Sequence, residues 1–350
     1  MDNNYFMGLD GFVWFTGVVE DRNDPSQLGR VKVRCLGFHT DNKDDIPTKD
    51  LPWAHVMHPV TDPSMQGMGS SPSFLLEGSW VVGFFRDSRE KQQPVIMGTL
   101  PGYPQEVADT TKGFNDPNGT YPSSEITHSE HSTNESDVNR LARNETDKAH
   151  SVIVKKDTDY DADTAKDGKT KDVPIANVDT TWTEPSSAYA ATYPKNHVFE
   201  SESGHIKEID DTTDNERIHE YHTAGTFYEI DKDGNKSTRV VGSNYEVVAG
   251  SNYVNVKGDV NLTIDTNCNT YIKGDWNIQV DGSKTEVVTG AVSETYKDTK
   301  TENVTGAVSE TYEATKTENV TGAVSESYGS TQTTAVSSNL TVTASKIDLN

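Results

Sequence analysis

Three pairs of histidines are the residues of this chain best suited to metal chemistry, because the members of each pair stand three residues apart. They are His55 and His58, His128 and His131, and His219 and His222. On a helix, that spacing could let two imidazoles hold a metal ion such as zinc. None of the three stretches has a helical pattern, and the sequence offers no third ligand nearby. We therefore predict no metal site and no cofactor.

Composition excludes several other functions. The two cysteines, Cys35 and Cys268, are too few and too distant for a disulfide framework or a zinc cluster. A net charge of -24 argues against nucleic acid or an anionic membrane surface as a partner. No apolar run approaches the length of a membrane span. Only 32% of the residues are hydrophobic, which is low for globular packing and suits an acidic component of a larger particle.

The last third of the chain carries a glycine repeat with a period of eight residues. Thr266, Asp298 and Ala314 stand where the period skips a glycine. The repeating glycines are Gly234, Gly242, Gly250, Gly258, Gly274, Gly282, Gly290, Gly306 and Gly322. An apolar residue stands two positions before each glycine from Gly242 on and before each skipped position, in the column Val240, Val248, Val256, Ile264, Ile272, Val280, Val288, Val304 and Val320, joined by Tyr296, Tyr312 and Tyr328. A fixed short period indicates a solenoid or a fibre.

Each eight-residue unit, or octad, reads as one short strand and one corner. Val, Thr, Tyr and Ser favour strands, and glycine permits a bend where a side chain would clash. One apolar side chain per octad is too little core for a single chain. If three chains wind around a common axis, the columns meet at the axis and the strand edges are paired. We therefore predict an intertwined triple-stranded β-helix over residues 234–350, about a dozen octads long and on the order of 60 Å.

The alternatives to the intertwined fibre are a β-helix made by one chain and a low-complexity disordered tail. The period is too regular for disorder, and the octads are too short for the coils of a single-chain β-helix. A second column, Glu286, Glu294, Glu302, Glu310, Glu318 and Glu326, recurs every eight residues, with Lys284, Lys300 and Lys316 two residues before alternate members. Buried charge is costly unless paired, so we favour an outward orientation of these glutamates over a charge-paired interior.

Residues 1–103 form the conventionally globular part, and we predict an all-β fold there. Five candidate strands span residues 12–20, 30–38, 51–60, 75–87 and 92–100, and no stretch reads as a helix. The count fits a five-stranded barrel of the oligonucleotide/oligosaccharide-binding (OB) type. The aromatic residues expected to fill it are Trp14, Phe15, Trp53, Trp80, Phe84 and Phe85. Its basic residues are offset by acids, so we do not expect nucleic-acid binding.

Long stretches of the chain resemble one known family. TGVVEDRNDPSQLGRVKVR (16–34), LPWAHVMHPVT (51–61) and GSSPSFLLEGSWVVGFFRDSREKQQPVIMGTLPG (69–102) resemble the N-terminal barrel of the central spike protein of T-even-type contractile phages. The same fold opens the valine–glycine repeat spike of type VI secretion. Residues 196–235 look like the family's neck, and the octads look like its triple-stranded needle.

The resemblance implies a structural protein of the virion's tail baseplate, made in the host cytoplasm. The expected homotrimer would dock on the trimeric hub at the tube end and puncture the host outer membrane when the sheath contracts. The alternative is the spike of a type VI secretion or related system, and a receptor-binding fibre ranks third. The apolar alternation near the end, Leu340, Val342, Ile347 and Leu349, predicts a separate tip-capping protein.

The middle of the chain departs from the resemblance. The T-even-type protein has a muramidase domain there, with a catalytic Glu, an Asp nine residues later and a Thr six after that. Only Glu202 is followed by an Asp at that distance, Asp211, and position 217 is Arg. We therefore predict no enzyme, with residues 104–182 as a polar extended linker. Residues 183–233 are predicted as strap and neck, and the expected anchors of the strap region are Trp182, Tyr189 and Tyr193.

Overall fold

The computed structural model describes residues 12–87, 89–103, 108–121, 136–146 and 170–347. Within those ranges helix is limited to two one-turn 3₁₀ segments, Thr48–Asp50 and Leu141–Arg143. No helix among the described residues is long and apolar enough to cross a membrane. The chain divides into two units, residues 1–269 and 270–350.

Five strands of the first unit close into a barrel. They are β1 (Val13–Asp21), β2 (Val31–Cys35), β3 (Trp53–Val56), β4 (Trp80–Phe85) and β5 (Pro94–Thr99). Their order around the barrel is β1-β2-β3-β5-β4, and only the β3–β5 pair is parallel. This confirms the predicted all-β fold with a five-stranded OB barrel at the N-terminus.

Four of the ten buried residues in the barrel core are valines and two are aromatic, so the expectation that six aromatic residues fill it was wrong. Phe15 and Phe85 are buried, whereas Trp14 and Trp80 are 52% and 42% exposed. Adjacent strand residues point to opposite faces, so Trp14 cannot share the interior with Phe15. Gly83 makes room for the Phe15 ring, because a Cβ built there would lie 2.6 Å from its Cζ atom.

A buried ion pair ties the segment after the barrel to the barrel itself. Arg34 Nε donates to Glu20 Oε1 over 2.6 Å, and both side chains are fully buried. The backbone N–H of Phe114 donates to the same carboxylate over 3.0 Å. A Cβ at Gly113 would lie 2.3 Å from Arg34 Nε, so glycine lets this segment lie against the pair. Residues 108–121 therefore fold onto the barrel, although the sequence predicted an extended linker here.

A second part of the predicted linker, residues 136–146, packs against the neck. Leu141 is buried in a cluster with Tyr189, Ile206 and Tyr221. The hydroxyl of Tyr189 donates to the carbonyl oxygen of Leu141 over 2.7 Å. The short strands β6 (Val173–Pro174) and β7 (Thr181–Trp182) pair with each other farther along. The rest of the predicted linker, residues 104–107, 122–135 and 147–169, lies outside the described residues.

The neck is a five-stranded antiparallel sheet. Its strands are β8 (Asn196–Glu200), β9 (Ile206–Asp210), β10 (Arg217–Tyr221), β11 (Phe227–Ile230) and β12 (Lys236–Arg239), each paired with the next. Gly234 lies in the turn between β11 and β12 with a φ of +80°, where glycine is favoured. It is therefore a hairpin glycine rather than the first needle corner, and the neck extends to Arg239.

Beyond the neck, the backbone bends at every eighth residue. In the first unit the bends fall at Gly242, Gly250, Gly258 and Thr266. In the second unit the period continues from Gly274 to Ser338 and includes Asp298 and Ala314. Every residue from 242 to 347 is exposed, and none of these residues belongs to a paired strand. The octads therefore have regular corners but no core within one chain.

Candidate functional site

The apolar column of the octads is the first candidate assembly surface. In the first unit Val248, Val256 and Ile264 are 44–52% exposed, whereas Val254 and Leu262, elsewhere in the same octads, are 79% and 77% exposed. In the second unit the column members Ile272, Val280, Val288, Val304 and Val320 are likewise half-exposed. The bend shields the column residue just before it, but the chain supplies nothing to bury it.

The corner glycines have room for a side chain within one chain. A Cβ built at each octad glycine from Gly242 to Gly322 meets nothing within 4 Å. None of these glycines has a positive φ, and Thr266, Asp298 and Ala314 make the same bend. The steric clash expected at the corner is therefore absent within the described chain. Any steric requirement for glycine there must come from outside it.

The glutamate column lies on the same side of the chain as the apolar column. The hydroxyls of Tyr312 and Tyr328, both members of the apolar column, donate to Glu310 and Glu326 over 3.1 and 3.0 Å. Lys284 Nζ donates to Glu286 Oε2 over 2.8 Å. These contacts join residues two apart, as strand alternation requires. A rod that encloses the column would therefore enclose glutamates that have tyrosine and lysine partners, contrary to the outward orientation that we favoured.

A buried set of charged side chains, the neck ionic cluster, consists of Glu208, Arg217, His219 and Glu229. Register places His219 of β10 directly between Glu208 of β9 and Glu229 of β11. Arg217 Nη2 donates to Glu208 Oε2 over 2.6 Å, and Arg217 Nη1 donates to Glu229 Oε2 over 3.0 Å. His219 Nδ1 lies 3.1 Å from Glu229 Oε2. The cluster thus joins three strands on one face of the neck sheet.

The strap before the neck closes over this cluster. Ser187 Oγ donates to Glu229 Oε2 over 2.6 Å, and the N–H of Ala188 donates to Oε1 over 2.9 Å. The guanidinium of Arg217 lies 5.1 Å from the centre of the Tyr189 ring. Buried charges that are paired and hydrogen-bonded in this way fix a unique arrangement, so the cluster positions the strap on the sheet. Of the predicted anchors, Tyr189 is buried, whereas Trp182 and Tyr193 are exposed.

The histidine pairs do not come together as metal sites in the described chain. His219 is buried beside Glu229, whereas His222 lies with its ring centre 4.4 Å from that of His205. An odd separation along a strand puts the two side chains on opposite faces. No group of three or more His, Cys, Asp or Glu side chains in the described ranges could hold a metal ion. His128 and His131 lie outside those ranges.

The neck ionic cluster predicts an acid-sensitive neck. Burial alone would raise the pKa of Glu229, but hydrogen bonds from His219 and Ser187 and the charge of Arg217 outweigh it and lower the pKa to about 2. Because the pKa is below the unfolded value, the stabilisation is present above about pH 4.5 and is lost as the pH falls towards 2. We expect a loss of up to roughly 3 kcal/mol in neck stability over this range.

Hydrogen exchange of the β10 and β11 amides between pH 6 and 2.5, corrected for intrinsic exchange, measures this loss. Glu229→Gln should lower protection at neutral pH and flatten its pH dependence. Glu220→Gln is the matched control, because Glu220 pairs with Lys207 on the exposed face of the same sheet. An unchanged pH profile in Glu229→Gln would contradict this role of the carboxylate.

A second polar cluster, the barrel–neck clamp, consists of Arg22, Glu77, Tyr121 and Glu202. Arg22 follows β1, and its Nη1 and Nη2 atoms donate to the two oxygens of Glu202, in the β8–β9 turn, over 2.9 and 2.8 Å. Its Nε lies 3.3 Å from Glu77 Oε2, and the hydroxyl of Tyr121 also donates to Glu202. Hydrogen bonds from Arg22 and Tyr121 lower the pKa of Glu202 to about 2. The clamp thus links barrel, linker and neck.

Removing the clamp should uncouple the barrel from the neck without unfolding either. Arg22 and Glu202 are partly exposed, so their pair adds little to overall stability. In Arg22→Ala we expect faster hydrogen exchange in the β8–β9 turn and around Phe74, whose ring packs edge-on against Phe199. Arg30→Ala is the control, because its partner Asp24 lies within the barrel. Equal exchange in the two variants would refute the coupling.

Sequence reasoning missed both clusters. The neck cluster left one signal in β10, where Arg217 and His219 stand two residues apart and therefore point to the same face. We found no comparable signal for the clamp, since Arg22 and Glu202 are 180 residues apart. Charged residues on strands usually lie in solvent, so this spacing alone predicts no buried cluster.

Large parts of this sequence are similar to known proteins. The Gp5 N-terminal OB domain family matches residues 37–186, a range that includes both segments packed after the barrel. Protein Gp5 of Vibrio phage KVP40 is 42% identical over 286 residues, which are 76% of this chain and 66% of that protein. The pre-baseplate central spike protein Gp5 of Enterobacteria phage T4 is 43% identical over 114 residues, 31% of this chain and 20% of that protein. The chain thus spans less than two thirds of either relative.

Proposed function

Because this chain belongs to the Gp5 family of phage central spike proteins, we propose that it forms the homotrimeric spike at the centre of a contractile tail baseplate. The proposal of a trimer rests mainly on the structure of the octads. Residues 242–347 bend every eight residues, yet they pair with no strand of the same chain and bury nothing. Such a row of unpaired strand edges requires partners.

Three intertwined copies would satisfy the octads. Each strand would pair with strands of the other two copies above and below, and the half-exposed columns would meet at the axis. The proposed core is the column from Val240 to Val320, and the proposed corners are the octad glycines from Gly242 to Gly322. A neighbouring backbone passing close to each corner would explain why glycine recurs where one chain leaves room.

The proposed mechanism is mechanical. Backbone pairing between copies makes the rod stiff, so it transmits the force of sheath contraction along its axis to the host outer membrane. The barrels dock on a trimeric hub protein at the end of the tube. The clamp and the neck ionic cluster connect those barrels to the rod. A tip-capping protein at the far end of the needle belongs to the same proposal.

The function is structural rather than enzymatic. The relatives carry the names of a Gp5 protein and a central spike protein, and both come from phages. They favour a phage baseplate over the type VI secretion spike that was the alternative. Purified protein should leave a peptidoglycan suspension turbid under conditions in which a muramidase clears it. Clearing by this protein would overturn the non-enzymatic assignment.

Electron microscopy of the purified protein tests the rod. Successive octads rise by about one strand spacing, so about twelve of them give a rod of roughly 60 Å projecting from the barrel and neck. Single-chain particles without a projecting rod would contradict the proposal.

Filling a corner provides a residue-level test. Gly250→Trp should block trimer formation, because the neighbouring copy would occupy the space that one chain leaves open. Gly102→Trp is the matched control, since a Cβ at Gly102 also meets nothing within 4 Å but the residue lies outside the octads. Native mass measured by light scattering compares the two. A Gly250→Trp protein that remains as trimeric and as heat-resistant as the control would refute the corner assignment.

A further inference from the structure

The neck sheet shows an unusual distribution of apolar residues. Its buried charged residues and Ile206 lie on the face that the strap covers, whereas three other isoleucines lie on the open face. Ile209 and Ile218 are 58% and 46% exposed. Register aligns Ile209 of β9 with Ile218 of β10, and Ile218 with Ile230 of β11. We call Ile209, Ile218 and Ile230 the isoleucine row.

Beside the row, the open face is mixed, with the half-exposed ring of Phe199 and two charged residues. Lys207 and Glu220 form an ion pair with an N–O distance of 2.9 Å on the same face. A groove of about 470 Å³ opens beside the row at the β8 edge, where Tyr193, Phe199 and Ile209 are among its lining residues. Antiparallel sheets with one face in water normally alternate apolar and polar faces, with the apolar one covered. Here an apolar strip and a groove are left open together.

Geometry brings this face close to the proposed rod. β12 ends at Arg239, and the first octad bend falls at Val241 and Gly242. Ile230 aligns with Lys236 at the start of β12, so the row stands five residues before that bend. Five residues of extended chain reach at most about 17 Å. Neighbouring strands are about 4.8 Å apart, so β10 lies roughly 10 Å from β12. If three chains converge at the first octad, their three isoleucine rows lie within roughly 20 Å of that point.

We propose that the isoleucine row packs against the neck of a second copy of this chain, so that the neck sheets form an interface continuous with the needle. This inference rests on the proposed homotrimer and adds a location to it. The mutual burial of apolar strips stabilises the assembly. The ion pair of Lys207 and Glu220 would form part of the polar rim. The neck would thereby join the three copies above the first octad.

Cysteine accessibility tests the interface in the full-length protein. Ile218→Cys and Ile209→Cys are each made in a Cys268→Ser background, since Cys268 is exposed. Cys35 stays, because it is buried and burial raises the pKa of its thiol to about 12. Lys232→Cys, in the exposed β11–β12 turn, is the control. Labelling by a polar maleimide is followed by mass spectrometry, and the native mass of each sample is measured in parallel.

In a sample with the mass of a trimer, we expect both row cysteines to react at least about tenfold more slowly than Cys at position 232. The described residues of one chain leave Ile209 and Ile218 exposed, so slow labelling in the trimer indicates cover by another copy. If the trimer forms and both row cysteines react as fast as the control, the interface proposal fails while the proposed spike stands. A monomeric unsubstituted chain would overturn both.

Discussion

Deleting residues 304–319 should leave a stable trimer whose rod is shorter by about 10 Å, since two octads are lost at about 4.8 Å each. Those residues form one complete sixteen-residue repeat, VTGAVSETYEATKTEN, and the next repeat begins with the same VTGAVSE. The join therefore continues the period, and every later corner keeps its place. Rod length in electron micrographs and the heat resistance of the detergent-stable band measure the result.

A deletion of twelve residues, 304–315, is the matched control. It removes fewer residues but shifts every later corner by half an octad. The apolar column after the deletion therefore no longer lines up with the column before it. We expect that variant to lose its detergent-stable band, although its composition is nearly the same. Equal behaviour of the two deletions would show that the eight-residue phase carries no structural information, contrary to the intertwined rod.

Replacing Arg34 should have the largest effect within the barrel. Arg34 satisfies Glu20 and also donates to the backbone carbonyls of Thr40 and Ile46 over 2.7 and 2.8 Å. Arg34→Ala leaves the Glu20 carboxylate buried without its partner, which costs about 3–5 kcal/mol. Urea unfolding followed by tryptophan fluorescence reports on the barrel, which contains Trp14, Trp53 and Trp80.

Two further variants separate charge from packing. The double variant Arg34→Met with Glu20→Leu removes both charges at similar volume, so it should recover much of the lost stability. Arg30→Ala removes an arginine whose side chain is 20% exposed, and its partner Asp24 keeps hydrogen bonds from the N–H groups of Ser26 and Leu28, so unfolding should change far less. If the double variant is no more stable than Arg34→Ala, the unpaired Glu20 carboxylate is not the cause of the stability that Arg34→Ala loses.

The barrel strands and the octad bends were predictable from the sequence. Strand alternation and the eight-residue period both involve residues that are close together in the chain. Four barrel strands fall within the predicted ranges and β1 extends one residue beyond its range, to Asp21; the backbone bends at each skipped glycine as well as at each octad glycine. Alternation alone could not say which face of β1 points inward. Only closure of a small barrel decides that Phe15, and not Trp14, lies in the core.

Contacts between distant residues were not predictable in the same way. The segments at Gly113 and Leu141 read as polar linker, because their few apolar or small residues gain meaning only beside Arg34 and Tyr189. The prediction that Gly234 forms the first needle corner was wrong for a similar reason. Its eight-residue spacing from Gly242 is real, but a hairpin turn with a positive φ uses the same residue. The spacing of a glycine does not show whether the residue lies in a hairpin turn or at an octad bend.

The native mass of the purified protein, measured by light scattering beside an unboiled detergent gel, tests the central claim most directly. One chain has a mass of 38.5 kDa. The account predicts three times that value, with a detergent-resistant band that collapses to the single chain on boiling. A mass of one chain, with no resistant band, would contradict the intertwined spike and leave the octads without the partners that their exposed columns require.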